Sequence, residues 1–241
     1  MLHTLIHRFE GRLLAPERLS SYQRWAYQFF HTDHLADPHL SITISLHLTE
    51  ARVRYEQAFA QTPGASFTAY LTYQLVQALK IQPDFHTRHV GGQWYAFDNL
   101  PLYFPVAVGG DRRFKDVIIE NVNRMDWPAF ALAYRQAVDG EGLVREEYAG
   151  AEAWHLFTFI GNLPYLPFTS LTLHRSATHA GRPFFYFGQR QMANGQLQVP
   201  LSITLDHANT DPFLLNALLA DYQQRLEAAP SPIPGPSRRQ R

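Results

Sequence analysis

The hydrophobic pattern switches along the chain between a period of two and a helical period. From Ser41 to Leu48 it is two: Ile42, Ile44, Leu46 and Leu48 fall on one side, and Thr43, Ser45 and His47 on the other. That alternation predicts a half-buried strand. Thr49 then caps a helix to about Gln61, and a Pro63-Gly64 break separates it from a second helix over 66–81. There Phe67, Leu71, Leu75 and Leu79 recur at helical spacing. Upstream, residues 20–30 suit a short helix capped by Ser20 or Ser21. Gly91-Gly92 between Phe85–Val90 and Gln93–Phe97 reads as a hairpin, Leu102–Val108 as an apolar strand, and Asp126 as the cap of a helix through Ala137.

The last third is mostly extended. Trp154–Ile160 and Phe168–Leu173 read as strands, and Phe184–Met192 and Gln196–Leu205 flank Asn194-Gly195, a strong hairpin signal. Asp211-Pro212 opens a final helix with Leu215, Leu219, Tyr222 and Leu226 as one stripe. No internal repeat and no interdomain linker interrupts this order. The expectation is an α/β fold, a two-layer mixed β-sheet covered by helices, as one domain over residues 1–229. Residues 230–241, rich in proline and ending in arginines, read as a mobile tail whose Arg238, Arg239 and Arg241 are solvated.

Composition narrows the chemistry. The 241 residues carry 21 Lys+Arg and 21 Asp+Glu, with 12 His and no Cys. The balanced charge argues against general nucleic-acid binding, which needs excess cations. Absence of Cys excludes disulfides, a cysteine nucleophile and thiolate metal sites. No apolar run reaches the roughly 18–20 residues of a membrane span, and the N-terminal stretch is broken by His and charges, so a cytoplasmic protein is expected.

Few standard motifs are present. There is no G-x-x-x-x-G-K-[ST], no G-x-G-x-x-G and no H-E-x-x-H. His31, His34 and His39 cluster, and His86 and His89 form a short pair, but neither set is ordered on one helix face. Loop histidines are the better reading, and no metal site is expected. His207 is different: it ends a strand, and Asp211 follows four residues later at the start of the next helix. As a bare pattern, H-x-x-x-D reads more readily as a structural histidine before an N-cap aspartate.

Four collinear segments add context. The final hairpin with His207-Ala-x-x-Asp211 and the amphipathic helix resembles the C-terminus of chloramphenicol acetyltransferases, which carry H-H-A-x-x-D-G there. Asn162-Leu-Pro-Tyr-Leu-Pro-Phe-Thr-Ser170-Leu-Thr-Leu173 is similar to the family's L-P-W-x-x-F-x-S-F stretch. Tyr22-Gln-Arg24-Trp-Ala-Tyr-Gln-Phe-Phe30 resembles its W-x-R-x-x-x-F helix, and Gln82-Pro-Asp-Phe85 through Trp94-Tyr-Ala-Phe-Asp98 its P-E-F-R…G…W-D hairpin. Together they cover about residues 20–227.

The resemblance implies a chloramphenicol-acetyltransferase-like fold and a CoA-dependent O-acetyltransferase of the antibiotic-resistance type. Acetyl-CoA would be the co-substrate, and chloramphenicol or a similar small alcohol the acceptor. By that likeness His207 is the general base, a role a neutral imidazole suits. Ser170 would stabilise the tetrahedral oxyanion, and Asp211 would pair with a buried Arg24 to hold the His207 loop. Phe30, His31, Ala107, Phe168 and Tyr186 would line the acceptor pocket. The implied assembly is a homotrimer with active sites at subunit interfaces. The chain departs from the pattern at Asp206, in place of the first His of the pair, and at Pro212, in place of Gly. His31 and Ala107 stand where aromatics are common, and Ser66 and Gln189 where lysines face the CoA phosphate, with Arg190 or Arg182 as substitutes. Two alternatives stay open: an acyltransferase with another acceptor, and a non-catalytic trimeric binding protein of the same fold.

Overall fold

The computed structural model describes residues 2–15, 17, 19–30, 37–141, 148, 150–173 and 181–228; the expected tail lies outside them. Helix α1 (Leu2–Arg8), strand β1 (Gly11–Leu13) and α2 (Ser21–Phe30) lead to β2 (His39–His47), α3 (Thr49–Ala58) and α4 (Phe67–Lys80). Strands β3 (Thr87–Val90), β4 (Gln93–Phe97), β5 (Leu102–Gly109) and β6 (Arg113–Ile119) follow, then α5 (Trp127–Asp139) and α6 (Ala151–Trp154). The chain continues through β7 (Thr158–Asn162), β8 (Phe184–Phe187), β9 (Gln191–Ala193) and β10 (Gln196–Asp206) to α7 (Pro212–Glu227).

The large sheet runs β2-β10-β8-β7-β5-β6, with β9 paired to β10, and a small sheet runs β1-β4-β3. The large sheet is mixed: β5, β7 and β8 are parallel neighbours, while β2, β10 and β6 pair antiparallel. Its side chains alternate between two cores. Leu201, Ile203, Leu205, Phe185, Phe187, Ile160, Leu102 and Phe104 pack with α3, α4, α5 and α7. Phe184, Phe159 and Tyr103 face the opposite way, into a second cluster with α1 and Phe97 of the small sheet. Each fully buried Leu or Phe contributes roughly 1.5–3 kcal/mol over its exposed state. Helices α4 and α7 are further joined by two buried tyrosines: Tyr70 Oη donates to the Leu226 carbonyl at 3.1 Å and Tyr222 Oη to the Leu71 carbonyl at 3.0 Å.

Caps follow the polar residues at the helix starts. Ser20 and Gln23 form a reciprocal capping box ahead of α2, each accepting from the other's backbone N–H at 3.0 Å. Ser66, Asp126 and Asp211 cap α4, α5 and α7 by accepting from Ala69, Ala129 and Leu214 N–H groups. Thr49, expected as a cap, is instead the first helical residue of α3, and its hydroxyl accepts from the Leu197 N–H at 2.9 Å, tying α3 to β10.

Three expectations need correction. Segment 168–173 is not a strand: the stretch is held to the sheet by a side-chain bond, the Leu171 carbonyl accepting from Ser202 Oγ at 2.8 Å. The strand expected at 154–160 begins later, after the α6 turn. The strand expected over 184–192 breaks after Phe187, where Gly188 lies so close to Phe168 and Pro200 that a Cβ would strike both. Sequence alternation also missed α1, β1 and β6. In β6 the inward position is Lys115, whose ammonium donates to the Val138 and Gly140 carbonyls at the end of α5. A cation there complements the helix C-terminus but erases the apolar period.

Gly161 of β7 lies under the Tyr186 ring of β8, and a Cβ would overlap that ring. Gly161→Ala is expected to cost about 1–3 kcal/mol through overpacking. Thermal unfolding should show a midpoint lowered by several degrees, and an unchanged midpoint would contradict this packing.

Candidate active site

Strand β10 ends in a tight turn. The Asp206 carbonyl accepts from Thr210 N–H at 3.1 Å and from Thr210 Oγ1 at 3.0 Å, closing residues 206–210. Within that turn the His207 N–H donates to the Pro38 carbonyl at 2.9 Å. The His207 ring lies flat on Phe30, with centroids 4.4 Å apart and planes at 9°. Neither ring nitrogen has a hydrogen-bond partner among the described residues, and Nδ1 is buried. Such an imidazole is oriented by stacking. Asp211, one turn on, accepts from the Leu214 N–H at 2.8 Å as the N-cap of α7, and Pro212 takes the first helical position, where its fixed φ fits.

The expected Asp211–Arg24 pair is not formed. Arg24 is exposed, not buried, and its guanidinium donates to the Leu19 carbonyl at 2.6 Å and to Ser21 Oγ at 3.4 Å within its own helix start. Tyr22 lies nearer: burial, and then the Asp211 carboxylate, raises its phenol pKa. Gln23 donates to Asp84 Oδ1 at 3.0 Å, and burial holds Asp84 above the usual carboxylate range. Sequence reasoning passed over Gln23 and Asp84 because neither carries a motif.

Ser170 lies elsewhere. It is exposed and lines a cavity of about 640 Å³ with Ile44, Phe168, Gln198 and Pro200. Leu171, the residue after Ser170, is held by Ser202, five residues before His207, about 16 Å along the strand direction at the usual rise. One chain therefore does not bring the two together. Phe168 packs over Gly188, while Tyr186 sits against Phe159 at 4.9 Å and over Gly161, and lines neither this cavity nor the next.

A second cavity, of about 330 Å³, brings Ala107 together with Ser66, Thr68, Tyr134 and Tyr165 at the N-terminus of α4. Arg190 lies close by: its Nη2 donates to Thr68 Oγ1 at 2.6 Å, and both Arg190 and Arg52 sit 5.1 Å from the Phe67 ring centroid. Arg182 is interior, 3% exposed, donating to the Phe157 carbonyl at 3.0 Å beneath Phe184. Of the two arginines expected near a phosphate, Arg190 has the suitable position.

His31 and His34 lie outside the described residues. His39 bonds Asp37 at 2.8 Å, His86 is buried, and His89 packs on Trp94 at 5.1 Å. Among the described residues no group of three or more His, Asp or Glu could hold a metal, and no helix is long and apolar enough to cross a membrane.

No protein-family model matches the chain, and no curated protein matches it in sequence. Solved structures do. A chloramphenicol acetyltransferase superimposes with a TM-score of 0.75 and 22% identity, over 90% of this chain and 99% of that one. Dihydrolipoamide acetyltransferase of Azotobacter vinelandii gives 0.61 and 21%, over 83% and 85%. A truncated catalytic core of the 2-oxoacid dehydrogenase multienzyme complex from Thermoplasma acidophilum gives 0.60 and 13%, over 91% and 100%. The chain thus has the fold these proteins share.

Two stability outcomes follow. Asp211→Ala removes a helix cap and should cost about 1 kcal/mol, whereas Arg24→Ala should stay within about 0.5 kcal/mol; equal large losses in denaturant titration would restore the expected ion pair. Burial, and then Arg88, pushes the His86 pKa down to about 4 from 6.5. The folded chain keeps His86 neutral where the unfolded chain protonates it, so stability is lost as pH falls from about 6.5 toward about 4. His86→Phe should flatten that part of the stability–pH curve.

Proposed function

We propose that this chain is a CoA-dependent O-acetyltransferase, moving an acetyl group from acetyl-CoA to a hydroxyl of chloramphenicol or a similar small alcohol. The observation that carries the reading is His207: an imidazole stacked on Phe30 at a strand end, its buried Nδ1 without a hydrogen-bond partner among the described residues, in a fold shared with acetyltransferases. Further support comes from the Azotobacter vinelandii enzyme, where a serine, a histidine and an asparagine four residues after it were investigated for their role in catalysis. Ser170, His207 and Asp211 occur here in the same order, with the same spacing from the histidine to the third residue.

His207 takes the proton of the acceptor hydroxyl as its oxygen attacks the thioester carbonyl carbon. The carbonyl π electrons move onto oxygen, and the Ser170 hydroxyl donates a hydrogen bond to that oxyanion, lowering the barrier by ~3–4 kcal/mol. Collapse of the intermediate breaks the carbon–sulfur bond, and the departing CoA sulfur takes the proton from the imidazolium. The CoA phosphates need cations, and Arg190 and Arg52 beside the N-terminus of α4 supply them. Because Ser170 and His207 stand far apart in one chain, the working site takes His207 from one subunit and Ser170 from another, in a homotrimer.

Thiol release from acetyl-CoA in the presence of chloramphenicol tests the reading. His207→Ala should lower the rate about 10²–10⁴-fold and Ser170→Ala about 10²–10³-fold. Mixed oligomers of the two variants should regain activity, since some interfaces then hold both native groups. Equal rates for wild type and His207→Ala would overturn the mechanism; failure of the mixture to regain activity would overturn the shared site.

A further inference from the structure

With Arg24 turned to its own helix, something else must hold the His207 turn. Three side chains converge on Gly181. Its N–H donates to Asp206 Oδ2 at 2.7 Å, and its carbonyl accepts from Arg88 Nη1 at 3.0 Å and from Asn209 Nδ2 at 3.3 Å. The other carboxylate oxygen of Asp206 accepts from the Ala208 N–H at 2.9 Å. The residue before His207 and the second residue after it are therefore fastened to one point.

That point is itself tightly packed. Gly181 has φ +79°, and a Cβ there would fall 2.7 Å from the Thr87 carbonyl oxygen and 2.9 Å from the Trp94 ring. Asn209 Nδ2 also reaches Thr87 Oγ1 at 2.6 Å and the Asp84 carbonyl at 3.0 Å, which ties the turn to β3. Asp206 is 1% exposed and Arg88 fully buried. Gly181 thus sets a carboxylate against its N–H and a guanidinium against its carbonyl, each on the side its charge favours. A histidine at position 206 offers at most one acceptor nitrogen, whereas a carboxylate offers two oxygens and holds two amides together.

We infer that Asp206 is the positioning residue of this site: its carboxylate, bound to the Gly181 and Ala208 amides, sets the turn that aims the His207 imidazole. In this chain Asp206 performs the loop-holding task that the likeness to chloramphenicol acetyltransferases assigns to Asp211 and Arg24. The inference rests on His207 being the base, but the clamp is measurable without any turnover.

The test compares wild type, Asp206→Asn and Asp211→Ala by amide hydrogen exchange, thermal unfolding and acetyl-transfer kinetics. Asp206→Asn should speed exchange at Gly181 and Ala208 about tenfold or more. Its kcat should fall about 10²-fold, as misplacing a reacting group by an ångström does, with the KM for acetyl-CoA within twofold. Asp211→Ala should lower the melting temperature and leave the Gly181 amide as protected as before. Faster exchange with kcat unchanged would reduce Asp206 to a structural part and overturn the inference, as would exchange unaffected by Asp206→Asn. Should the variant fail to fold, the amide shifts of wild-type Gly181 and Ala208 decide: one shared carboxylate titration supports the clamp, and its absence overturns it. A wild type without acetyl transfer defeats the proposed function, whereas the exchange data still report on the clamp.

Discussion

Strand β10 is paired along both edges, and that constraint governs the rest of the molecule. It meets β2 at nine successive positions, from Gln198–His47 to Asp206–His39, and β8 at four, from Leu201–Phe187 to Thr204–Phe184. Its backbone groups are thereby satisfied in the interior, and its register cannot slip by one residue without turning Leu201, Ile203 and Leu205 out of the helical core. The end of the strand is consequently a fixed point in space. Everything that requires an exactly aimed side chain is best built there, and His207 is the first residue past it.

What could be read from sequence is what a single periodicity controls. The alternation in Ser41–Leu48 placed β2 and the leucine spacings placed α4 and α7, because in each case one face is apolar and packs on one core, while the Asn194-Gly195 turn placed β10. Where two demands meet in one segment, the period fails. Lys115 turns inward to serve the carbonyls at the end of α5, which hid β6. Segment 168–173 meets β10 through the Ser202 side chain on the Leu171 carbonyl and not through a backbone ladder, so it forms no strand. At the site, His207 and Asp211 were legible from a motif, while the Gly181 backbone and the Asn209 side chain join β3 to the end of β10 through long-range contacts that no local spacing encodes.

The balance of charges takes on meaning once positions are known. Lys+Arg and Asp+Glu are equal at 21 each, yet they are not interchangeable. Arg88 and Arg182 are buried, and burial lowers both of their pKa values, so neither is free to meet a polyanion at the surface. Asp206 is buried on the other side of Gly181 from Arg88. Burying charge is costly, and such groups persist where they organise structure. Arg190 and Arg52 are paired cations stacked about Phe67 beside a helix N-terminus, and burial, then Arg52, lowers the Arg190 pKa as well.

The separation of Ser170 from His207 follows from the same strand. Ser202 of β10 holds the Leu171 carbonyl at 2.8 Å, so the Ser170 segment is anchored midway along β10 while His207 stands past its end. Within one chain, the nine β2 pairings and the Ser202 anchor fix the Ser170 segment and the His207 turn at different points along β10. Joining two copies leaves both intact. In the shared site proposed above, an exposed Ser170 on the wall of an open cavity and an imidazole held at a strand end would be complementary halves, and the rigidity of β10 would let two subunits meet in a single defined geometry.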